Sequence, residues 1–497
     1  MLPIPAPAPT PGAANVTLSG TATYESVPNV SGALVYADTS VKPVRGAYVE
    51  VLDASGNQLV VSSTDDNGAY AVSVPGNTTV VVRVRSQLTR PGPGATWDVT
   101  VRDNTQSSGI YSMQSSAFST GTAALTRDLR AASGWGGASY TSQRVSGPFA
   151  VMDTVYTAMQ KVLSVAPTTS FPSLKVFWSV NNTRTGGSIA QGQIGTTFFI
   201  ARSTGAEIYV LGKEDVDTDE FDAPVIAHEW GHYYQASFSR DDSQGGEHST
   251  NDLVDRRLAF SEGWGNGWSG IALGRSTYVD SSGPGQQDRI ASLDLSKGPT
   301  SNMGWFREIS VQSIFWNLNQ QVGFKPIHDA MTSTLFKGGA PVTSIHPFTA
   351  AFNVVAPGSA SALSALLTGQ GISAASNDAY GVLEGNNGGV PSALPMYKAV
   401  TVGGGTTQAC VTNSADPSRA GNKLGSFAYL NFVAPTNRSY QFAVASPAGA
   451  SPSFAIYQGG VVSRNPGSVS LAPGPYVLVI NDLNNSGPNT CFDVAIQ

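Results

Sequence analysis

His228-Glu229-Trp230-Gly231-His232 sets two imidazoles four residues apart, with a carboxylate directly after the first. On an α-helix, positions i and i+4 share a face, so both rings can reach one Zn2+. Glu229 then stands beside a water on that ion and can take its proton as general base. Only five histidines occur in 497 residues, so composition alone seldom produces this spacing. A helix is expected to begin just ahead of the motif, because Asp222-Ala223-Pro224 offers a cap and a proline in the first turn. Catalytic zinc takes three protein ligands and a water, so a third ligand is expected from a separate element. The candidate is Glu262 in Ala259-Phe260-Ser261-Glu262-Gly263-Trp264, 30 residues beyond His232 and within a helical pattern. His248 and Glu247 stay open as alternatives.

An HExxH motif followed after a few dozen residues by a helix bearing E-G-W resembles the gluzincin metallopeptidases, most of all the fungalysin branch near thermolysin. The stretch Asp217-Thr218-Asp219-Glu220-Phe221-Asp222 is similar to the acidic lead-in of the fungalysin motif. The resemblance implies a zinc-dependent endopeptidase with one Zn2+ per chain, held by His228, His232 and Glu262, with Glu229 as base. Many gluzincins carry Asp four residues after the ligand Glu, where it orients an imidazole; here Asn266, a neutral acceptor, takes that place. The long inhibitory propeptide of the fungalysin kind is not seen ahead of the domain in this sequence, which leaves open whether one is cut away or absent. A metzincin is excluded, since Tyr233-Tyr234-Gln235-Ala236-Ser237-Phe238 supplies neither the glycine nor the third histidine. A further donor for the developing oxyanion is expected, His328 or Tyr233 first, with His346 and Tyr278 behind them. In gluzincins an edge strand beside the zinc helix pairs with the substrate backbone. Thr196–Ile200 is the expected edge, so Thr197, Phe198 and Phe199 become substrate-binding candidates. Asp215, Asp217 and Asp219 alternate in a loop and suit Ca2+, though a solvated acidic loop ahead of a helix N-terminus has the same pattern.

The motif needs a scaffold on both sides. From 15 to 133 the chain alternates apolar and polar residues in short runs such as VTLSGTATY, AYVEVLD and AYAVSVP. Turns separate these runs at Ser55-Gly56-Asn57 and Asp66-Asn67-Gly68, which predicts a β-sandwich. Pro43–Val49 with Asp65–Tyr70 resembles the carboxypeptidase-regulatory-like modules of secreted proteins. The runs WDVTVRD and GIYSMQSS leave their strand assignment open. From 135 to 390 the period becomes helical in FAVMDTVYTAMQKVL and APVIAHEWGHYYQASF, with strands between, as an α/β (α+β) zincin-type metallopeptidase domain requires. From 398 to 497 strands return, and this second sandwich resembles the pre-peptidase C-terminal domains of exported peptidases. Residues 1–14 form a Pro/Ala spacer, expected to follow a removed export signal. The expected fold is therefore multidomain, with a metallopeptidase domain between two β-sandwiches.

Charged residues are 12% of the chain and the net charge is −6, with no basic run, so nucleic acid is not an expected partner. No segment has the 18 to 20 continuous apolar residues of a membrane span. Cys410 and Cys491 frame one strand-rich segment and read as a disulfide, hence an oxidising compartment and a secreted or surface protein. A monomer acting on polypeptide or glycoprotein is expected. The alternatives are a cell-wall- or glycoprotein-directed zinc peptidase that recognises carbohydrate, and a non-catalytic adhesive protein with a vestigial HExxH.

Overall fold

The computed structural model describes residues 14–373, 377–485 and 487–497; the expected spacer, Ala14 apart, lies outside the described residues. The chain divides into two compact units. One comprises residues 1–163, 167–226 and 279–291, and the other residues 164–166, 227–278 and 292–497.

In the first unit, Asn15–Ser26 alternates strictly, burying Val16, Leu18, Ala22 and Tyr24, and pairs antiparallel with Ala69–Pro75. A ten-stranded sheet accompanies it, running Phe198–Arg202, Gly205–Val210, Leu174–Trp178, Trp97–Asp103, Thr79–Arg90, Ala47–Asp53, Gln58–Ser63, with three short strands beside this path. The turn at Ser55–Asn57 is a hairpin, closed by Asp53 Oδ1, which accepts from the backbone N–H of Ser55 and Asn57. The turn at Asp66–Gly68 is not a hairpin: it carries the chain from one sheet into the other, with Asp65 Oδ1 accepting from Asn67 and Ala69 N–H.

WDVTVRD settles as the hinge of the whole sheet. Trp97–Asp103 pairs antiparallel with Thr79–Arg90 on one edge and parallel with Leu174–Trp178 on the other. A parallel neighbour needs a crossover, and helix α1 (Gly147–Leu163) supplies it, burying Phe149, Val151, Met152, Val155, Met159 and Val162. Ser86 Oγ donates to the Pro148 carbonyl at 2.8 Å and fastens its first turn to the sheet. The strands expected of the N-terminal sandwich and those expected of the following domain thus share one sheet, with no break near 133.

The second unit holds most of α2 (Ala223–Phe238), all of α3 (Arg256–Leu273) and α4 (Glu308–Val322), the shorter helices after them, and the C-terminal sandwich. Asp255 caps α3 by accepting from Arg257 N–H, and Gly274, at φ 67°, ends it. Nearly every residue of α3 is buried, the pattern of a central helix. Two sheets form the sandwich around Leu430, Phe432, Tyr440, Ile456, Leu478, Phe492 and Val494. It does not trail from the helices: Arg256 lies 3.9 Å over the Tyr429 ring and Arg257 4.3 Å over Phe427, while Tyr429 donates to the capping Asp255. No single helix among the described residues is long and apolar enough to cross a membrane.

Cys410 and Cys491 are disulfide-bonded and directly opposed on antiparallel strands, a bond that belongs to oxidising compartments. Their sequence separation is 81 residues, a loop whose closure is worth up to about 4 kcal/mol in the chain-entropy model. Replacing both by Ser should lower the calorimetric transition of the C-terminal sandwich and leave the first unit's transition in place. An unchanged thermogram would show that strand pairing alone closes the loop.

Candidate metal centre

Two helices create the site. His228 and His232 lie one turn apart on α2 with ring centroids 4.8 Å apart, and the opposite side of that helix is aromatic. Trp230 stacks on Trp268 of α3 at 5.3 Å, and Tyr234 packs against Trp264 and Trp268 at 5.1 and 5.5 Å. Trp264 Nε1 donates to the Gly231 carbonyl at 2.9 Å. Glycine makes the approach possible. A Cβ on Gly231 would sit 3.1 Å from the Gly265 Cα, and a Cβ on Gly265 would sit 2.8 Å from Cε1 of His228. Gly265 therefore vacates the volume that the first imidazole fills.

Glu262, one turn before Asn266 on α3, completes a trio. The Nε2 atoms of His228 and His232 are 3.1 Å apart, and Glu262 Oε2 is 3.2 Å from the first and 3.6 Å from the second. Each side chain keeps a little exposure, 11%, 12% and 13%, so water can reach the trio. The far nitrogens are anchored. Asn266 Oδ1 lies 2.9 Å from His228 Nδ1 and fits as acceptor of its proton. On His232, Nδ1 faces Ser261 Oγ at 3.2 Å, and Ser261 donates onward to Asp241 Oδ2 at 2.9 Å. Burial opposes charge on His232, but the Glu262 carboxylate outweighs it and raises the imidazole to about 9. Burial would raise Glu262, yet His232 and the other two imidazoles hold it well below the usual carboxylate range.

Around it, His248 Nε2 lies 3.6 Å from Glu262 Oε2 and 3.3 Å from Glu308 Oε2, at the start of α4, while its Nδ1 faces the Gly246 carbonyl at 2.9 Å. Burial disfavours the imidazolium, but the two carboxylates raise it to about 11. Neither His248 nor Glu247 belongs to the trio whose ligand atoms lie within 4.8 Å of one another. Glu229 is half-buried, and its charge acts on His232. Tyr278 meets the His228 ring edge-on at 6.1 Å. Tyr233 is buried against Trp230 and Phe238. His328 faces Tyr234 Oη through Nδ1 at 2.8 Å, and His346 meets Glu384 at 3.0 Å. Sequence spacing pointed to the trio, and the gluzincin resemblance to Asn266. Both missed the Ser261–Asp241 relay and the His248–Glu308 bridge, although Ser261 directly precedes Glu262 and could have been flagged.

In the first unit the expected edge Thr196–Ile200 is a strand only from Phe198, running to Arg202, and among the described residues it pairs with Gly205–Val210 alone. Phe198 stacks on Tyr209 at 5.0 Å and Phe199 is half-buried. Thr197, just before the strand, turns its hydroxyl inward, donating to Asp219 and accepting from Leu211 N–H. Of the acidic run, Asp217 and Asp219 gather with Asp280, whereas Asp215 Oδ1 accepts from Gly285 N–H.

No family model matches the chain, and no curated protein does. Among solved structures it is similar to the pre-peptidase C-terminal domain of a collagenase from Bacillus anthracis (9% identity, 20% of this chain and 94% of that one, TM-score 0.16). It is also similar to PliG, a periplasmic inhibitor of g-type lysozyme from Salmonella Typhimurium (13% identity, 20% and 99%, TM-score 0.15). Scores this low leave the functional argument to the geometry of the trio.

Two substitutions probe that geometry. Asn266→Ala should weaken zinc affinity about 10- to 100-fold by freeing the His228 ring. Gly265→Ala presses a methyl onto the same ring and should weaken it at least as much, with the helical circular-dichroism signal retained. Competition against a chromogenic chelator reads both, and wild-type affinity in both would show that the α2–α3 approach does not seat His228.

Proposed function

We propose that the chain is an exported zinc-dependent endopeptidase of the gluzincin type, its zincin domain built around α2 and α3. The observation that carries this reading is the convergence of two imidazole nitrogens and one carboxylate oxygen, with both remote imidazole nitrogens already anchored. That donor set, His2Glu, fits zinc with one position left for water or substrate. Zinc bound there would supply Lewis acidity to a peptide carbonyl and to the attacking water. His228, His232 and Glu262 would hold it. Glu229 takes the proton of the attacking water and returns it to the leaving amine nitrogen. His248, whose Nε2 lies 3.6 Å from Glu262, and Tyr278, whose ring meets that of His228 edge-on, would donate to the carbonyl oxygen as it gains charge. The disulfide supports export, since peptidases released from the cell meet an oxidising medium. The substrate class is polypeptide, free or glycosylated, and the working species a monomer.

Purified protein should carry about one zinc per chain. Glu229→Gln should keep that zinc and lower kcat on casein or an unstructured peptide about 10²- to 10⁴-fold. Glu262→Ala should lose the metal and the activity together. Elemental analysis with no bound transition metal, or wild-type turnover in Glu229→Gln, would sink the assignment.

A further inference from the structure

Five carboxylates of the first unit are drawn close together, and the protein provides for them unequally. Glu220 is fully partnered: Arg144 donates to Oε1 at 2.8 Å and Trp178 Nε1 to Oε2 at 3.1 Å. Asp222 is too, with Asn29 Nδ2 on one oxygen and the backbone N–H and hydroxyl of Ser281 on the other. Asp217, Asp219 and Asp280 are not. Each turns a buried Oδ1 that has no hydrogen-bond partner, and one ligand oxygen from each lies within 4.8 Å of the others. Asp217 and Asp219 are only 3% and 2% exposed.

Three backbone segments bring them together. Asp217 forms a short strand with Thr218, Asp219 opens the 3-10 turn that follows, and Asp280 stands in Thr277–Ser282, whose Ser282 pairs with Asp217. Buried like charges this close repel one another. Little offsets them: Arg184 Nε lies 3.7 Å from Asp217 Oδ2 but is half exposed, and Thr197 donates to the second oxygen of Asp219. Burial first, and then the neighbouring carboxylates, push Asp280 to about 8 and Asp219 well above the ordinary range. An unpaired buried carboxylate is costly unless it takes a proton or a cation.

We infer that Asp217, Asp219 and Asp280 form a second cation site, selective for Ca2+ and separate from the His228–His232–Glu262 trio. All its donors are hard oxygens, which disfavours zinc, and a cage supplied mainly by protein carboxylates suits Ca2+ better than the strongly hydrated Mg2+. Asp217 and Asp219 lie in the segment that leads into α2, and Asp280 in the strand Thr277–Ser282 that follows α3. The site stands on these residues alone and does not depend on the peptidase reading.

The test uses full-length protein cleared of calcium on a chelating resin and resupplied with one equivalent of zinc, titrated with CaCl2 by calorimetry and followed by thermal unfolding. One Ca2+ should bind and raise Tm. Asp280→Asn and Asp219→Asn should weaken that binding roughly tenfold or more, and Asp215→Asn should leave it unchanged. The proposal is overturned if wild type shows no calcium heat and no Tm shift at millimolar CaCl2. It is equally overturned if Asp280→Asn binds as wild type does, if Mg2+ binds as well as Ca2+, or if the Asn variants gain stability while wild type ignores calcium, the mark of carboxylates sharing protons. Should a variant not fold, a calcium-soaked wild-type crystal with no density between the three aspartates overturns it alone.

Discussion

The approach of α2 to α3 at Gly231 and Gly265 governs everything that happens at the trio. His228 Nε2 on α2 and Glu262 Oε2 on α3 stand 3.2 Å apart, and at this crossing neither helix has a Cβ, which lets the two backbones lie closer than ordinary side chains permit. The aromatic layer of Trp230, Tyr234, Trp264 and Trp268 then fixes the depth of the contact from the other side. These rings are fully buried, and truncation of one such side chain costs about 3–5 kcal/mol. The polar face is therefore held by an apolar one, and the two cannot be altered independently.

The same crossing explains why Ser261 matters. It precedes Glu262 on α3, so any rotation that aims Glu262 at the imidazoles also aims Ser261 at the neighbouring turn of α2. There it meets His232 Nδ1 and passes the contact to Asp241. The result is a chain of polar groups whose geometry is set by packing, which keeps its rotamer freedom small. His248 and Glu308 add charge from the loop before α3 and the first turn of α4, so four separate segments meet at one ligand set.

What the sequence disclosed was whatever depends on local period. Four-residue spacing marked His228 and His232, two-residue alternation marked Asn15–Ser26, and the isolated cysteine pair marked Cys410–Cys491. Asn266 was legible only through the resemblance to gluzincins, many of which carry an orienting Asp four residues after the ligand Glu. What escaped was set by distant partners. Nothing near Trp97–Asp103 reveals that its second edge belongs to Leu174–Trp178, more than 70 residues later. Asp280 carries no local signal tying it to Asp217, and the alternation that included Asp215 failed because that residue adopts φ 59° and turns toward Gly285. The inward hydroxyl of Thr197 was hidden likewise, since its acceptor lies 22 residues on.

The unbroken ten-stranded sheet also bears on where this protein can be cut. A fragment beginning near residue 135 would bare the edge of the five-residue strand Leu174–Trp178, whose sequence LKVFW is apolar, strand-prone and charged at one position only. Such an edge is a template for intermolecular pairing. In the folded chain Trp97–Asp103 covers that edge, so the early strands belong in any fragment that is to keep it paired.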